Sequence, residues 1–412
     1  MTQINHHSAH DVRLKRATIA VIAPTYPPYR CGVGDYTAML TEALCASGWH
    51  VHIFTTQREV QPTVSPQLTV SAVVPAWTVR QVWAVAAMVA HGRPEAVLLQ
   101  YVPYLYARRG VGGAAPLLAW LLRLRGLRVV TVMHEPYVPL WKTLRWFVVG
   151  LIQRAMLLGV LSASAGVATS TGFWAGELRR WLPWYGQRIR RVAVGSNIPL
   201  LPFNAAERMA QRQRLDIAPH EVVLVFFGKL HVSKLIESVL RSPSYLRERG
   251  VPATLLMIGQ DAAEVSPVMG RLGIAPDGVR CTGYSSVEDV SRYLHCADIC
   301  LAPFIDGVST RRTTVMAALQ HGVAVVTTEG HSTERDLFAQ DVAMTRAGDE
   351  HGFLEAVLQL ARDPAQRTAL AERGAQLYTR EFHWPGIARQ IEHLVGSNRR
   401  APGGAADGEA LG

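Results

Sequence analysis

The chain has 412 residues, of which 49% are hydrophobic and 18% are charged. This length favours two domains with separate cores, and this composition excludes a disordered chain. The first sixteen residues lack the apolar core of a signal peptide, and no uninterrupted apolar run is long enough to span a membrane. Because the five cysteines form no Cys-x-x-Cys pair, we predict a reduced, cytoplasmic protein without a zinc site.

The net charge of +10 is concentrated in the first half of the chain. Residues 1–200 contain 20 Lys and Arg against 7 Asp and Glu, whereas residues 201–412 contain 22 against 25. This asymmetry predicts an anionic partner for the first half, either nucleic acid or an anionic membrane surface. A basic surface that only aids solubility is the alternative. No helix-turn-helix or zinc pattern is found, so we predict no nucleic-acid partner.

Short apolar runs alternate with helical patterns along the whole chain, which is typical of parallel α/β domains. In the first half, the pattern predicts strands over residues 18–23, 50–55, 69–74, 96–100, 128–133, 166–169 and 191–194. A helix between the first two strands is indicated by Tyr36, Leu40 and Leu44 on one face, and Gly48 follows as a stop signal.

The loop after the first strand contains Gly32, Gly34 and Asp35. Two glycines at a helix start allow a ligand to approach the backbone. A dinucleotide fingerprint is excluded, because Thr37 occupies the third glycine position and no acid follows the second strand. We therefore predict that this loop forms one wall of a cleft, with a plain turn as the alternative.

The second half repeats the alternation. Its strands are predicted over residues 222–227, 254–258, 279–282, 299–302 and 323–327, and a last helix over 384–395. The proline-containing stretch 196–220 is typical of an interdomain connection, and the Gly/Ala/Pro-rich tail 397–412 is predicted to be disordered. Two similar halves predict an α/β fold with two Rossmann-like domains that face a cleft.

The turn after strand 222–227 contains Gly228, Lys229 and Lys234. We predict that both lysines lie at the start of a helix, at the mouth of a parallel sheet. Backbone N–H groups, the helix dipole and two ammonium groups would all favour a diphosphate there. The alternative is two surface lysines beside an ordinary loop.

In order and spacing, several segments resemble family-4 glycosyltransferases, which are retaining enzymes with the GT-B fold. Val132-Met133-His134-Glu135 is similar to the family's strand ending in His-Asp. Gly228-Lys229-Leu230 with Lys234 is similar to its Gly-Arg-Leu-x-x-x-Lys motif. Gly195-Ser196-Asn197 resembles the start of its interdomain crossing, and His383-Trp384 resembles the start of its final helix.

The resemblance implies an N-terminal acceptor domain over residues 1–200, joined by a crossover helix at about 383–396, and a donor domain over 201–382. It implies transfer of a hexosyl group from a UDP- or GDP-sugar to an acceptor hydroxyl, with retention of configuration. We expect a lipid-linked or polysaccharide acceptor and a role in polysaccharide biosynthesis.

One segment departs from the family pattern. The family has two glutamates, in the spacing Glu-x7-Glu, before a glycine that matches Gly322. Here those positions hold Ser309 and Ala317, although Asp306 could replace the first glutamate. We predict that Arg311 and Arg312 compensate by binding phosphate beside a Ser/Thr-capped helix start. Two simply solvated arginines are the alternative.

The sequence thus yields candidate residues for each role. No Asp-x-Asp is present, so we predict an enzyme that needs neither metal nor cofactor. His134 and Asp306 are the candidate catalytic residues, although a structural histidine would fit equally well. Asp35 and Glu135 are candidates for orienting the acceptor. The candidate diphosphate-binding residues are Gly32, Gly34, Lys229, Lys234, Ser309, Arg311 and Arg312.

The stretch from Trp141 to Leu161 mixes aromatic and aliphatic residues with cations such as Lys142, Arg145 and Arg154. Such a helix can lie on an anionic membrane, so we predict a peripheral enzyme on the inner membrane face; an ordinary core helix is the alternative. A sugar-nucleotide epimerase or a phosphorylase with the same fold is a second enzyme alternative, and the phosphorylase is disfavoured because no pyridoxal-binding lysine context is found. A non-catalytic GT-B subunit that binds a sugar nucleotide or a partner remains the competing interpretation.

Overall fold

The computed structural model describes residues 17–29, 31–57, 63–141 and 143–396. The predicted disorder of residues 397–412, the absence of a signal peptide and the role of Lys142 lie outside these residues. The described chain forms two sheets flanked by helices on both faces. Their nearly all-parallel strands agree with the two Rossmann-like halves predicted from the sequence.

The first sheet has eight strands in the order β3-β4-β2-β1-β5-β6-β7-β8. All neighbouring pairs are parallel except β3 and β4. The central strands are continuous apolar runs, as expected for strands that are buried on both faces. The bounds are β1 (Thr18–Ile22), β2 (His50–Thr56), β3 (Thr63–Val64), β4 (Leu68–Val74), β5 (Ala96–Tyr101), β6 (Val129–Met133), β7 (Gly166–Thr169) and β8 (Ile189–Arg191).

Six helices connect these strands and cover both faces of the sheet. Helix α2 packs on α4 and α4 packs on α5, and the three helices bury their inner residues in one core with β1 and β5. Helix α1 packs into a second core on the opposite face of the sheet. The bounds are α1 (Gly32–Ala46), α2 (Val79–His91), α3 (Pro103–Tyr106), α4 (Ala114–Leu124), α5 (Leu144–Ala163) and α6 (Gly172–Trp181).

The second sheet has six parallel strands in the order β11-β10-β9-β12-β13-β14. From β9 the chain runs outward to β10 and β11 on one side and then returns to β12, β13 and β14 on the other side. The carboxyl end of β9 is therefore a switch point of the strand order, where such sheets bind ligands. The bounds are β9 (Val222–Phe227), β10 (Ala253–Ile258), β11 (Val279–Cys281), β12 (Ile299–Ala302), β13 (Ala324–Glu329) and β14 (Ala343–Arg346).

Nine further α-helices follow, and the described fold also contains a 3-10 helix (Pro183–Arg188) and a π-helix (Tyr378–Phe382). The last of them, α15, packs on α1, and its Ile387 and Ile391 are buried in the same core as Ile19 of the first sheet. The bounds are α7 (Ala205–Arg214), α8 (Ile236–Arg247), α9 (Ala262–Leu272), α10 (Val287–Cys296), α11 (Thr313–Gln320), α12 (Arg335–Phe338), α13 (Glu350–Arg362), α14 (Pro364–Leu377) and α15 (Trp384–Val395).

Three strands differ from the sequence prediction. The strand predicted over 191–194 is wrong in its bounds, because β8 ends at Arg191 and Val194 instead donates its backbone N–H to Thr310 of the second half. Strands β3 and β14 were missed. Both lie at sheet edges and contain few buried residues, so they lack the apolar pattern that identifies a central strand.

Candidate active site

The loop that follows β9 is the centre of the candidate site. Its first residue, Gly228, has φ of +92°, a left-handed conformation that favours glycine. A Cβ added to Gly228 would lie 3.2 Å from Lys234 Nζ and 3.1 Å from Thr314 Cγ2. The loop, the lysine and the start of α11 therefore converge on one point.

The two lysines of this loop have different environments. Lys229 is exposed, whereas Lys234 is half-buried, donates to the backbone oxygen of Phe227 at 3.3 Å and lies 4.5 Å from the Phe226 ring centroid. Burial, and then the nearby Arg312, lower the pKa of Lys234 to about 8. The predicted position in a helix start is wrong for both lysines, because α8 begins only at Ile236.

Arg312 is the second cation of this centre. Its guanidinium stacks over Phe304 at 4.1 Å and pairs with Asp306, while its Nε is buried without a partner among the described residues. Burial lowers the pKa of Arg312 to about 10 despite that carboxylate. Arg312 also stands at the N-cap of α11 without a side-chain cap, so the predicted Ser/Thr cap is wrong.

Asp306 holds the arginines in place. Its carboxylate accepts from Arg311 at 2.9 Å as well as from Arg312. Arg311 also lies 3.9 Å from Glu135, which belongs to the first half of the chain. The structure therefore brings together four of the predicted site residues across the cleft, in an arrangement in which one half-buried carboxylate is shared by two guanidinium groups.

Ser309 belongs to the same segment as Asp306 and Arg311. Its side chain is fully buried, and its Oγ has no hydrogen-bond partner among the described residues. Ala317, which occupies the second glutamate position of the family motif, is a buried core residue of α11. The family's two acids are therefore replaced by buried groups and not by residues that point into the cleft.

On the first-domain side, His134 follows β6. Its Nε2 is 2.7 Å from Gln100 Oε1, and its ring meets the edge of Tyr36 with centroids 4.9 Å apart. The side chain retains some accessible surface, but the dense packing around it disfavours the cation and lowers the pKa of His134 to about 4. His134 is therefore neutral at physiological pH.

The predicted glycine loop lies at the start of α1. Gly34 is buried, and a Cβ added there would meet the backbone of Thr25 and Tyr26 at 3.4 Å, whereas Gly32 is exposed with nothing within 4 Å of such an atom. Burial raises the pKa of Asp35 in the first helical turn. The backbone that lies close to Gly34 is therefore that of the preceding loop, which contains Thr25 and Tyr26.

Sequence reasoning missed the residue that joins the two halves. Glu334 is 5% exposed; its Oε1 accepts from the Gly172 N–H at 2.6 Å, and its Oε2 accepts from the Thr310 N–H at 2.6 Å and from Thr310 Oγ1 at 2.8 Å. Arg191 is 3.4 Å from Oε1. An acid directly before a short helix gives no pattern from which these partners could be inferred.

The fold and this site define a class, the two-domain α/β proteins that bind ligands between facing parallel sheets. Two family models match the chain: "Glycosyl transferase 4-like domain" over residues 31–195 and "Glycosyl transferases group 1" over residues 221–363. Together they cover well over half of the chain. The protein belongs to the family-4 glycosyltransferases with the GT-B fold.

Two curated relatives are similar to part of the chain. One is a D-inositol 3-phosphate glycosyltransferase of Geodermatophilus obscurus, 25% identical over 59% of this chain and 54% of its own length. The other is the lipopolysaccharide core biosynthesis glycosyltransferase LpsE of Rhizobium meliloti, 26% identical over 50% and 58%, respectively. The matches thus span somewhat more than half the length of these relatives.

Solved structures share the fold over nearly the whole chain. Sucrose-phosphate synthase from Thermosynechococcus elongatus has a TM-score of 0.65 at 18% identity, covering 92% of this chain and 98% of its own. Alr3699/HepE of Anabaena, solved in complex with UDP and glucose, has a TM-score of 0.66 at 12% identity, covering 92% and 100%. At these identities the likeness shows the fold alone.

Proposed function

We propose that this protein transfers a sugar from a nucleotide-diphosphate sugar to an acceptor hydroxyl. The observation that carries the proposal is a pair of neighbouring cations: Lys234 in the loop after β9 and Arg312 at the start of α11. The pKa values of Lys234 and Arg312 are both lowered. The carboxylate of Asp306 pairs with both Arg311 and Arg312. A site with such an excess of positive charge favours a dianion, and a helix N-terminus adds to this preference.

In the proposed reaction, the acceptor oxygen forms a bond to the anomeric carbon while the bond from that carbon to the diphosphate oxygen breaks. The bonding electrons stay on the diphosphate, and the acceptor proton passes to the leaving diphosphate. Lys234 and Arg312 would stabilise the negative charge that develops there. By resemblance to the family, the transfer is proposed to retain configuration and to need no metal ion, so activity should persist in EDTA.

The donor is proposed to be a UDP-sugar, with a GDP-sugar as the next candidate. This order is supported by the similarly folded Anabaena protein, whose structures contain UDP and UDP-glucose. The curated relatives act on an inositol phosphate and in lipopolysaccharide core synthesis, which supports a glycan or glycolipid acceptor.

The test is calorimetric titration of the purified protein with UDP and with GDP. We expect micromolar binding of one nucleotide, weakened about 10- to 100-fold in Lys234→Met, because a charge-assisted hydrogen bond contributes roughly 1.5–3 kcal/mol. Arg214→Met is the control: it removes a positive charge from an exposed position of α7 and should change the affinity less than about threefold. Absence of binding to either nucleotide would overturn the proposal.

A non-catalytic subunit is the second candidate, and one observation favours it. The family's two glutamates are replaced by the buried Ser309 and Ala317, so the acids that normally face the donor are missing. Slow hydrolysis of the bound UDP-sugar, measured as release of UDP, separates the two candidates. Binding without hydrolysis or transfer to any acceptor would favour the subunit.

We also propose that the acceptor is lipid-linked and that the first domain rests on the inner face of an anionic membrane. Helix α5 is long and apolar enough to cross a membrane, but its Gln153 is fully buried and bonds Gly110 and Val138, so α5 is packed as a domain helix. Its outer side is nevertheless apolar: the exposed residues include Leu144, Phe147, Val148, Leu151, Ile152 and Leu158.

These exposed residues recur at helical spacing and form one stripe along α5, which we call the apolar stripe. Helix α4, which packs on α5, adds the exposed Trp120 and Leu124, and α2, which packs on α4, adds the exposed Trp83. From residue 96 to residue 176 the sequence contains a single acid, Glu135, among many arginines. An apolar stripe with a cationic surround complements an anionic lipid surface.

Flotation with phosphatidylglycerol vesicles at low salt tests this surface. We expect the wild type to float with the vesicles and Phe147→Gln/Leu151→Gln to remain in solution. Val232→Gln, which replaces an even more exposed apolar residue of the second domain, should float like the wild type. Equal flotation of all three proteins, or of none, would contradict membrane binding through the apolar stripe.

A further inference from the structure

A cavity of about 500 Å³ opens between the two domains beside the proposed donor site. One wall is formed by residues of the first domain, and the other by the Asp306–Arg311 segment together with His331 and Ser332. This volume lies in the range of small-molecule sites. The cavity therefore borders the place where a transferred sugar would be held.

The first-domain wall is built from aromatic rings. Tyr137 and Trp181 are stacked with centroids 5.2 Å apart and an interplanar angle of 7°. Trp174 meets the edge of Tyr137 at 5.2 Å, and Phe173 continues the row at 5.0 Å from Trp174. We call these four residues the aromatic wall. A continuous row of rings at α6 gives the cavity an apolar side.

One arginine fixes the aromatic wall. The guanidinium of Arg154 lies 3.8 Å from the Tyr137 centroid and 5.1 Å from that of Trp181, and it donates to the backbone oxygens of Val138 and Gly150. Burial lowers the pKa of Arg154. Its Nε is buried without a partner among the described residues. These contacts preorganise the rings for a ligand.

The opposite wall is polar. Asp306 and Arg311 present a carboxylate and a guanidinium to the cavity. His331 approaches Phe173 with ring centroids 6.2 Å apart, so the aromatic and polar walls meet at one edge. The cavity thus offers ring faces on one side and donors and acceptors on the other.

We propose that this cavity binds a pyranose ring of the acceptor, stacked on the aromatic wall. A pyranose has a face of C–H groups and an edge of hydroxyl groups, which matches these two walls. A polyprenyl chain would match the rings but would leave the polar wall desolvated and unpaired. This assignment rests on the proposed function, because it makes the sugar of the acceptor, and not its lipid, the group recognised beside the donor.

Saturation-transfer NMR with methyl β-glucoside, methyl β-galactoside and cellobiose, each in the presence of UDP, tests the proposal. We expect at least one saccharide to bind the wild type, with the strongest saturation at the protons of one ring face. Trp181→Ala should weaken this binding at least tenfold, whereas Trp181→Phe, which keeps a ring, should stay within about threefold. Trp184→Ala removes an exposed tryptophan outside the cavity and should have no effect.

UDP affinity, measured on the same four proteins, keeps this inference separate from the proposed function. We expect it to be unchanged, because Trp181 does not touch Lys234 or Arg312. Saccharide binding that survives Trp181→Ala would overturn the proposal, as would binding of farnesyl phosphate with no saccharide bound. Failure of all three saccharides while UDP still binds would also overturn it and leave the donor site intact.

Discussion

The two sides of the cleft present different kinds of groups to a ligand. The second-domain side concentrates charge: Lys234 and Arg312 are partly desolvated beside each other, and one carboxylate orders the arginines. The first-domain side presents mainly rings, since His134 is uncharged and Tyr137 and Trp181 are stacked. This difference suggests that the donor is held by electrostatics and the acceptor by shape and ring stacking.

The largest expected effect comes from breaking the contact that joins the two sides. Glu334→Ala leaves the N–H groups of Gly172 and Thr310 without their carboxylate and leaves Arg191 with one partner fewer. We expect a loss of about 3–5 kcal/mol in the free energy of unfolding, the usual effect of removing one partner from a buried ionic network. Urea denaturation followed by circular dichroism measures it.

Glu334→Gln is the matched variant for this prediction. It keeps the shape and one acceptor oxygen, so we expect it to lose clearly less stability than Glu334→Ala. Asp336→Ala is a surface control, since Asp336 pairs with the same Arg191 but is largely exposed. A loss below about 1 kcal/mol in Glu334→Ala would show that the two domains are held together by other contacts.

The next effect concerns the charged side of the cleft and its pH dependence. The pKa of Lys234 is about 8 in the free protein, and a bound diphosphate favours the ammonium form and raises this pKa. UDP affinity should therefore be highest below pH 8 and fall as Lys234 loses its proton above it, by up to about tenfold per pH unit. Binding near pH 8–9 should take up protons.

Calorimetry in buffers of different ionisation enthalpy measures this proton uptake directly. Lys234→Met should remove both the uptake and the decline in affinity above pH 8, and Arg214→Met should keep both. If the wild type binds UDP equally well at pH 7 and pH 9.5, Lys234 does not contact the diphosphate as an ammonium group.

The sequence predicted the second-domain side of the cleft far better than the first-domain side. Gly228, Lys234, Arg311 and Arg312 follow strands of obvious apolar pattern, so their convergence at one sheet edge follows from the order of elements. The aromatic wall could not be predicted in this way. Tyr137 lies in a loop and Trp181 at the end of α6, and only the folded chain stacks their rings.

The burial of individual charged side chains was the other property that could not be predicted from the sequence. Lys229 and Lys234 are five positions apart in one motif, yet one is exposed and the other is half-buried against Phe226. The backbone pairing of Lys234 with Phe304 causes this difference, and such a contact between distant segments leaves no local pattern. For the same reason the buried position of Ser309 was not foreseen.

The smallest expected effect lies on the first-domain side of the cleft. With a pKa of about 4, His134 should not titrate between pH 5.5 and 8, so its ring nitrogen shifts should stay constant in NMR spectra assigned with His134→Gln. Unfolding raises this pKa to about 6.5, so the stability that the neutral ring provides is lost as the pH falls from about 6.5 towards 4. His134→Gln should therefore lose less stability than the wild type over that interval. Titration of the His134 ring near pH 6.5 would instead show an accessible histidine. The first-domain side of the cleft would then carry a positive charge at mildly acidic pH.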